Sequence, residues 1–246
     1  MKSRKHHRKK ESTGLSYACI LTFLILFAFL LAARLGYIYL ADAERHPITA
    51  VKVAAHYEHI THKEIEEILV HYVGVSFFML PVSRLQQELN GLSWVDSAYV
   101  ERIWPDTLKI KIIEKVPVAI WGNALMTAQG ELFNEGQIPA GLDVPRLQGP
   151  KEQQSEVLQV YKKLSKILTS YHLVASGLQL NDNQSWVVSL TGGATVYLGK
   201  NDLEARLLRF CKAYPAVFAE KAEQLASVDL RYPRGMAVQW KQQTGR

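Results

Sequence analysis

The chain has 246 residues but only two cysteines, Cys19 and Cys211, and they cannot usefully pair. Cys19 falls inside an apolar run and Cys211 inside a helical pattern, so no disulfide supports the fold. In an exported chain a lone Cys211 reads as a small buried apolar residue and not as a nucleophile. Catalytic strings are missing as well. There is no GxSxG elbow, no SxxK, and no cysteine set against a plausible histidine motif. Gly199-Lys200 lacks the preceding glycines of a phosphate-binding loop, and Glu66-Glu67 sits on a helical surface where solvated charge is the ordinary reading. No catalytic residue, cofactor or metal is therefore assigned. Nor is there a basic stripe for nucleic acid. Residues 1–14 hold six Lys/Arg against one Glu and so carry +5 of the formal +6, leaving the remainder close to neutral. The chain shows no internal repeat, and no low-complexity segment beyond residue 14.

One stretch lacks charge altogether. Leu15–Ala33 reads LSYACILTFLILFAFLLAA, with no charge, Gly or Pro. As a helix it spans roughly 28 Å, near the roughly 30 Å of a hydrocarbon core. Lys2, Arg4, Lys5, Arg8, Lys9 and Lys10 precede it, and a much weaker set (Arg34, Asp42, Glu44, Arg45) follows. The positive-inside rule places the N-terminus in the cytoplasm and the bulk of the chain across the membrane. The rival reading is a cleaved secretory signal, for which Ala41-Asp42-Ala43 has the small-x-small form. The apolar core exceeds the usual length of such signals, and the site lies well past its end, which favours a retained anchor. Arg34 is near enough to a helix end to snorkel to the headgroups.

From Ile48 the pattern becomes that of a water-soluble domain. Val51 and Val53 alternate with polar neighbours, predicting a half-buried strand. Thr61-His62-Lys63-Glu64 fits a capping box, and the helix it opens carries Ile65, Ile68, Leu69 and Tyr72 on one face and stops at Gly74. A second helix follows Pro81, with Val82, Leu85 and Leu89 aligned. Strands Trp94–Ile103 and Thr107–Glu114 flank the turn Trp104-Pro105-Asp106, and Leu108, Ile110 and Ile112 alternate with Lys109 and Lys111. The order is β-α-α-β-β.

Past Pro117 short strands and turns take over. Ala119–Trp121, Ala124–Ala128 and Glu131–Phe133 come first, then a long helix over about residues 153–170. Strands Leu178–Leu180, Trp186–Leu190 and Thr195–Leu198 follow. Asp202 is placed to cap a helix bearing Leu203, Leu207, Phe210 and Tyr214, with Pro215 as its stop. Strands Ser227–Leu230 and Met236–Trp240 close the chain around the turn Tyr232–Gly235. Only Lys241–Arg246 follow, so the last strand has nothing left to pair with its outer edge. Such an edge is either protected by Lys241 and the polar tail, or open to strand addition, or the strand is central after all.

His56, His59 and His62 crowd the loop before the first helix of the exported part, with His46 and His71 nearby. Three imidazoles with Glu58 suit zinc in kind, but His59-x-x-His62 lacks the helical HExxH frame, and a solvated polar loop is the favoured reading.

β-α-α-β-β in about seventy residues resembles a POTRA domain, a small polypeptide-binding module. Trp104-Pro105-Asp106-Thr107-Leu108-Lys109-Ile110, with Glu114-Lys115-Val116-Pro117-Val118-Ala119-Ile120-Trp121, resembles the string that closes this domain in the FtsQ/DivIB family of bacterial cell-division proteins. Leu147-x-Gly149-Pro150, Ser185-Trp186, Leu198-Gly199, Arg206-Leu207-x-Arg209-Phe210 and Val228–Trp240 extend the likeness over essentially the whole chain. The resemblance implies an α+β fold. Residues 1–14 form a basic cytoplasmic tail and 15–40 a single transmembrane helix. On this likeness residues 47–116 would form a POTRA domain and 117–246 a C-terminal β domain, mixed α/β with a largely antiparallel sheet. It also implies a non-enzymatic divisome scaffold, single-pass in the cell inner membrane at the septum, with its bulk in the periplasm. Its partners would be FtsB and FtsL, the FtsB segment adding as a strand at the C-terminal edge, with the POTRA face left for other division proteins. The matching site residues are Arg231 for a charge-assisted bond, Tyr232 and Trp240 as anchors, and Gly235 for close backbone approach. Asn183 and Gln184 stand where some relatives carry arginines, so a second charged contact is not carried over. Two other readings compete with this one. A POTRA-bearing translocation or assembly factor normally needs several such modules and a barrel, which do not fit this length. A tethered exported enzyme would have to use the histidines.

Overall fold

A computed structural model describes residues 17–54 and 58–242. The basic tail 1–14, the first two residues of the apolar run and His56 lie outside the described residues. The chain divides into two compact units. The first runs to Gly91 and takes back Ser97–Ile113, and the second comprises Leu92–Asp96 and the chain from Glu114 onward.

The first unit begins with α1 (Tyr17–Ala41), one helix long and apolar enough to cross a membrane. It continues through Arg34 and Gly36 because Leu35–Leu40 is apolar again, and nothing between them removes a backbone donor. Then come β1 (Ala50–Ala54), α2 (His62–Val70), α3 (Val82–Asn90), β2 (Val95–Ile103) and β3 (Thr107–Glu114). The expected capping box is present: Thr61 N donates to Glu64 Oε2 at 2.7 Å, and Glu64 N donates to Thr61 Oγ1 at 3.3 Å. The helix itself ends at Val70, and the chain reaches Gly74 (φ +84°) through turns, with Tyr72 buried in them. The three strands lie in the order β1-β3-β2, with β1 parallel to β3 in register Ala50↔Thr107 to Ala54↔Lys111. Ile65, Leu85, Leu89, Leu108, Ile110 and Ile112 fill the space between helices and sheet. Val51, expected on the buried face, is 41% exposed. It stands on an outer strand beside an open hollow, so nothing covers it.

The second unit carries β4 (Ala119–Trp121), β5 (Ala124–Met126), β6 (Leu132–Phe133), β7 (Arg146–Gln148), α4 (Gln154–Thr169) and β8 (Ala175–Leu180). It continues with β9 (Trp186–Leu190), β10 (Thr195–Gly199), α5 (Leu203–Val217), a 3-10 segment Ala219–Gln224, β11 (Leu225–Asp229) and β12 (Ala237–Trp240). Strands β4–β12 join one sheet in the order β12-β11-β10-β9-β8-β7-β4-β5-β6. The pairs are mostly antiparallel, but β4/β7, β7/β8 and β10/β11 are parallel. Parallel neighbours need a crossover, which α4 supplies between β7 and β8 and α5 between β10 and β11. Val157, Leu164 and Leu168 of α4 and Leu207, Phe210 and Cys211 of α5 pack with Leu178, Val188, Val196 and Val228 of the sheet in one core. Burial pushes the Cys211 thiol up to about 11, in keeping with an inert apolar role.

Three local expectations are corrected. The stretch before Gly149-Pro150 is a strand, β7, whose three residues are too few to show a period. Asp202 precedes α5 but makes no side-chain cap, because at φ +55° its backbone is left-handed and the carboxylate is turned off the first-turn amides. Pro215 does not end α5. The helix runs on to Val217, and Phe218 N still donates to Tyr214 O at 2.9 Å. Burying Phe218 completely against Phe210 outweighs the one backbone bond that proline removes.

Candidate functional site

β12 is the outermost strand of the nine-stranded sheet, and among the described residues it pairs only with β11. The register is Asp229↔Ala237, Val228↔Val238, Ser227↔Gln239 and Leu225↔Trp240, shifted once between Leu225 and Ser227. Lys241 N donates to Gln224 O at 2.7 Å, which closes the ladder on its inner side. The outer side of β12 presents a row of backbone donors and acceptors, the geometry that strand addition uses.

The turn Tyr232–Met236 stands at one end of this edge and borders an open groove of about 590 Å³, lined by Tyr232, Pro233, Arg234, Gly235, Met236 and Ala237. Arg209 of α5 holds it in place. Its Nη2 donates to Leu230 O (3.1 Å) and Tyr232 O (3.0 Å), and its Nη1 to Pro233 O (2.9 Å). One planar fork thus ties three carbonyls to a helix, a task a lysine ammonium on its flexible stem cannot repeat.

Arg231 is 63% exposed and is already bonded within the chain. Its Nη2 donates to Asp229 Oδ2 at 2.6 Å and its Nε to Asp229 Oδ1 at 2.9 Å. These side-chain bonds hold the Asp229 carboxyl below the usual carboxylate range. Arg206 Nη1 donates to Leu198 O at 2.6 Å beside it. Gly199 makes room for both arginines: at φ +80°, a Cβ there would meet Arg206 Nη1 at 2.7 Å and Arg231 Cγ at 3.2 Å.

Tyr232 is 55% exposed on the turn. Trp240 is 39% exposed, and its ring lies 6.1 Å from that of Phe218, which in turn packs on Phe210 at 5.5 Å and Tyr214 at 6.0 Å. Trp240 therefore belongs half to the core and half to the surface. Gly235 is open: a Cβ there would meet nothing within 4 Å, so no contact inside the chain requires glycine. The structure brings Arg231, Tyr232, Gly235 and Trp240 to one edge. Arg209 and Asp229 stood in the sequence strings with no role attached. Arg209 lies 21 to 24 residues from the carbonyls it holds, a long-range spacing with no periodic signal, whereas Asp229 is only two residues from Arg231 and carries no recognisable motif.

His59 and His62 stand at the head of α2, and among the described residues no three His, Cys, Asp or Glu side chains gather as a metal site.

One helix long and apolar enough to cross a membrane, a β-α-α-β-β unit and a larger mixed sheet with an open outer strand define the class of a two-unit α+β protein behind an apolar N-terminal helix. Two family models match, one in each unit. "POTRA domain, FtsQ-type" matches 46–115, and "Cell division protein FtsQ/DivIB, C-terminal" matches 119–231. The chain is 33% identical to Cell division protein FtsQ of Coxiella burnetii over 97% of each chain. It is 32% identical to that of Shewanella oneidensis, covering 96% of this chain and 92% of the relative. It is 30% identical to that of Methylomonas methanica, covering 89% and 90%. The chain belongs to the FtsQ family of cell division proteins.

Proposed function

We propose that the chain is a non-enzymatic divisome scaffold that binds the FtsB–FtsL pair and links early and late division proteins at the septum. It is retained in the inner membrane by a single helix, 15–40, with the basic tail 1–14 in the cytoplasm and the rest in the periplasm. The six Lys/Arg before the helix support this direction. The POTRA domain spans 47–116 and the β domain 117–246, the former open to further division proteins. FtsB adds as a strand along β12, with Arg231 offering a charge-assisted bond, Tyr232 and Trp240 serving as anchors, and Gly235 admitting the partner backbone. Partners held in the same membrane gain further from effective concentration. The observation that supports this reading is the unpaired outer edge of β12 beside a turn clamped by Arg209.

Tyr232→Ala is the cleanest test, since the ring is more than half exposed. It is expected to weaken FtsB binding by more than about 1 kcal/mol while leaving the melting temperature in place. Binding equal to that of the unchanged chain sinks the site. Trp240→Ala is less clean, because its contact with Phe218 ties it to stability as well.

A further inference from the structure

The end of α1 is built into the first unit. Ser76, only 1% exposed, donates from its Oγ to Leu40 O at 2.5 Å. Phe77 N donates to His46 O at 2.9 Å. The His46 ring meets Tyr39 edge-on at 5.2 Å and Phe78 at 5.0 Å, so three rings run from the helix to the domain. Arg102 of β2 fastens the same segment, donating to Phe78 O and Leu80 O. The segment Ser76–Leu80 therefore stands level with Tyr39 and Leu40.

That level is set by the bilayer. The apolar stretch Cys19–Ala41 has 23 residues, about 34 Å of helix against a core of about 30 Å, so its last turn reaches the interface. Tyr37 and Tyr39 are the amphipathic rings that settle at headgroup depth. Two residues past the helix, Ala43 lines a hollow of about 220 Å³ with Ile48, Val51, Leu69, Val73 and Val75, and among the described residues none of its lining is charged. Val73 is 79% exposed and Val70 66%. Val73 shares this hollow with Ala43, and Ser76, three residues further on, is bonded to Leu40, so these apolar side chains stand beside the helix exit, where phospholipid is met before bulk water.

We propose that this face of the POTRA unit, centred on Val73 and the hollow beside it, is a lipid-contact surface. It rests in the outer boundary of the leaflet through which α1 leaves and fixes the module's attitude to the membrane. It is independent of the β12 edge and of what binds there. Residues a few ångströms below the headgroups add affinity through buried apolar area, as interfacial helices do.

The test uses the full chain in phospholipid nanodiscs. A Cys19→Ala background carries Val73→Cys or Val70→Cys labelled with a small fluorophore; Cys211 is fully buried and stays unlabelled. Both positions are exposed, so the substitutions leave the fold in place. A Leu35→Cys label serves as the lipid reference and the free dye as the aqueous one. Doxyl groups on the lipid should quench the Val73 and Val70 labels severalfold more than iodide does, in the sense seen at Leu35. Iodide quenching equal to that of the free dye, with none from doxyl lipid, overturns the proposal. Shielding from both quenchers also overturns it, since protein and not lipid would then cover the face.

Discussion

The outer strand β1 of the first unit and the outer strand β12 of the second present the same backbone problem in different surroundings. β1 pairs in parallel with β3 and borders an uncharged hollow, with Val51 left exposed and Lys52 as its own charge. β12 pairs antiparallel with β11 over an aromatic floor of Phe218, Phe210 and Tyr214, and its approach is set by Arg209 and Arg231. An unpaired strand edge says only that backbone groups are on offer. What stands around it sets the chemistry on offer: apolar neighbours at the helix exit underlie the proposed lipid contact, whereas the exposed Arg231 and half-buried Trp240 underlie the proposed polypeptide contact.

The sharpest way to break this contrast is to remove the floor of one edge. Phe210→Ala deletes a fully buried ring from the core of the second unit and should cost about 3–5 kcal/mol. Hydrogen exchange should then rise across β8–β12 while the β1–β3 amides keep their protection. If both sheets lose protection together, the two edges share one cooperative core and the comparison fails.

A smaller effect is expected at Arg209. Arg209→Met frees three carbonyls of the turn and should cost about 1–3 kcal/mol in stability and weaken FtsB binding, with Arg209→Lys recovering only part. Equal binding by wild type and Arg209→Met would show that the turn holds its shape without the clamp.

The smallest effect concerns Asp229. Its carboxyl is held low in the folded chain, chiefly by the Arg231 bonds, so its contribution is in place above the unfolded value near 3.9 and is lost as pH falls through the lower folded value. With Arg231 well exposed and the pair screened by water, that contribution is small. Asp229→Asn should flatten this part of the acid side of the stability curve in urea titrations. A curve unchanged in shape would mean the pair has no net coupling to folding.

Several features could be read from neighbouring residues alone. The long apolar helix follows from an unbroken apolar run, α2 from Thr61 and Glu64 three residues apart, α4 from Val157, Tyr161, Leu164 and Leu168 on one face, and the β2–β3 hairpin from Leu108, Ile110 and Ile112 against lysines. Short spacing carries each of these signals. The same short view misplaced Pro215 as a helix stop and Asp202 as a cap, since it could not weigh a buried Phe218 or a left-handed backbone. It also passed over β7, whose three residues become a strand only between β4 and β8.

By itself the sequence determined most element types, the long apolar helix with the basic run before it, and the order β-α-α-β-β, because periodicity, caps and breakers act between residues a few positions apart. Strand order, the outer place of β12, the grip of Arg209 on a turn more than twenty residues away and the half-buried setting of Trp240 were decided only by tertiary structure. Each depends on which distant surfaces can be buried together, and that choice is made by the whole core at once.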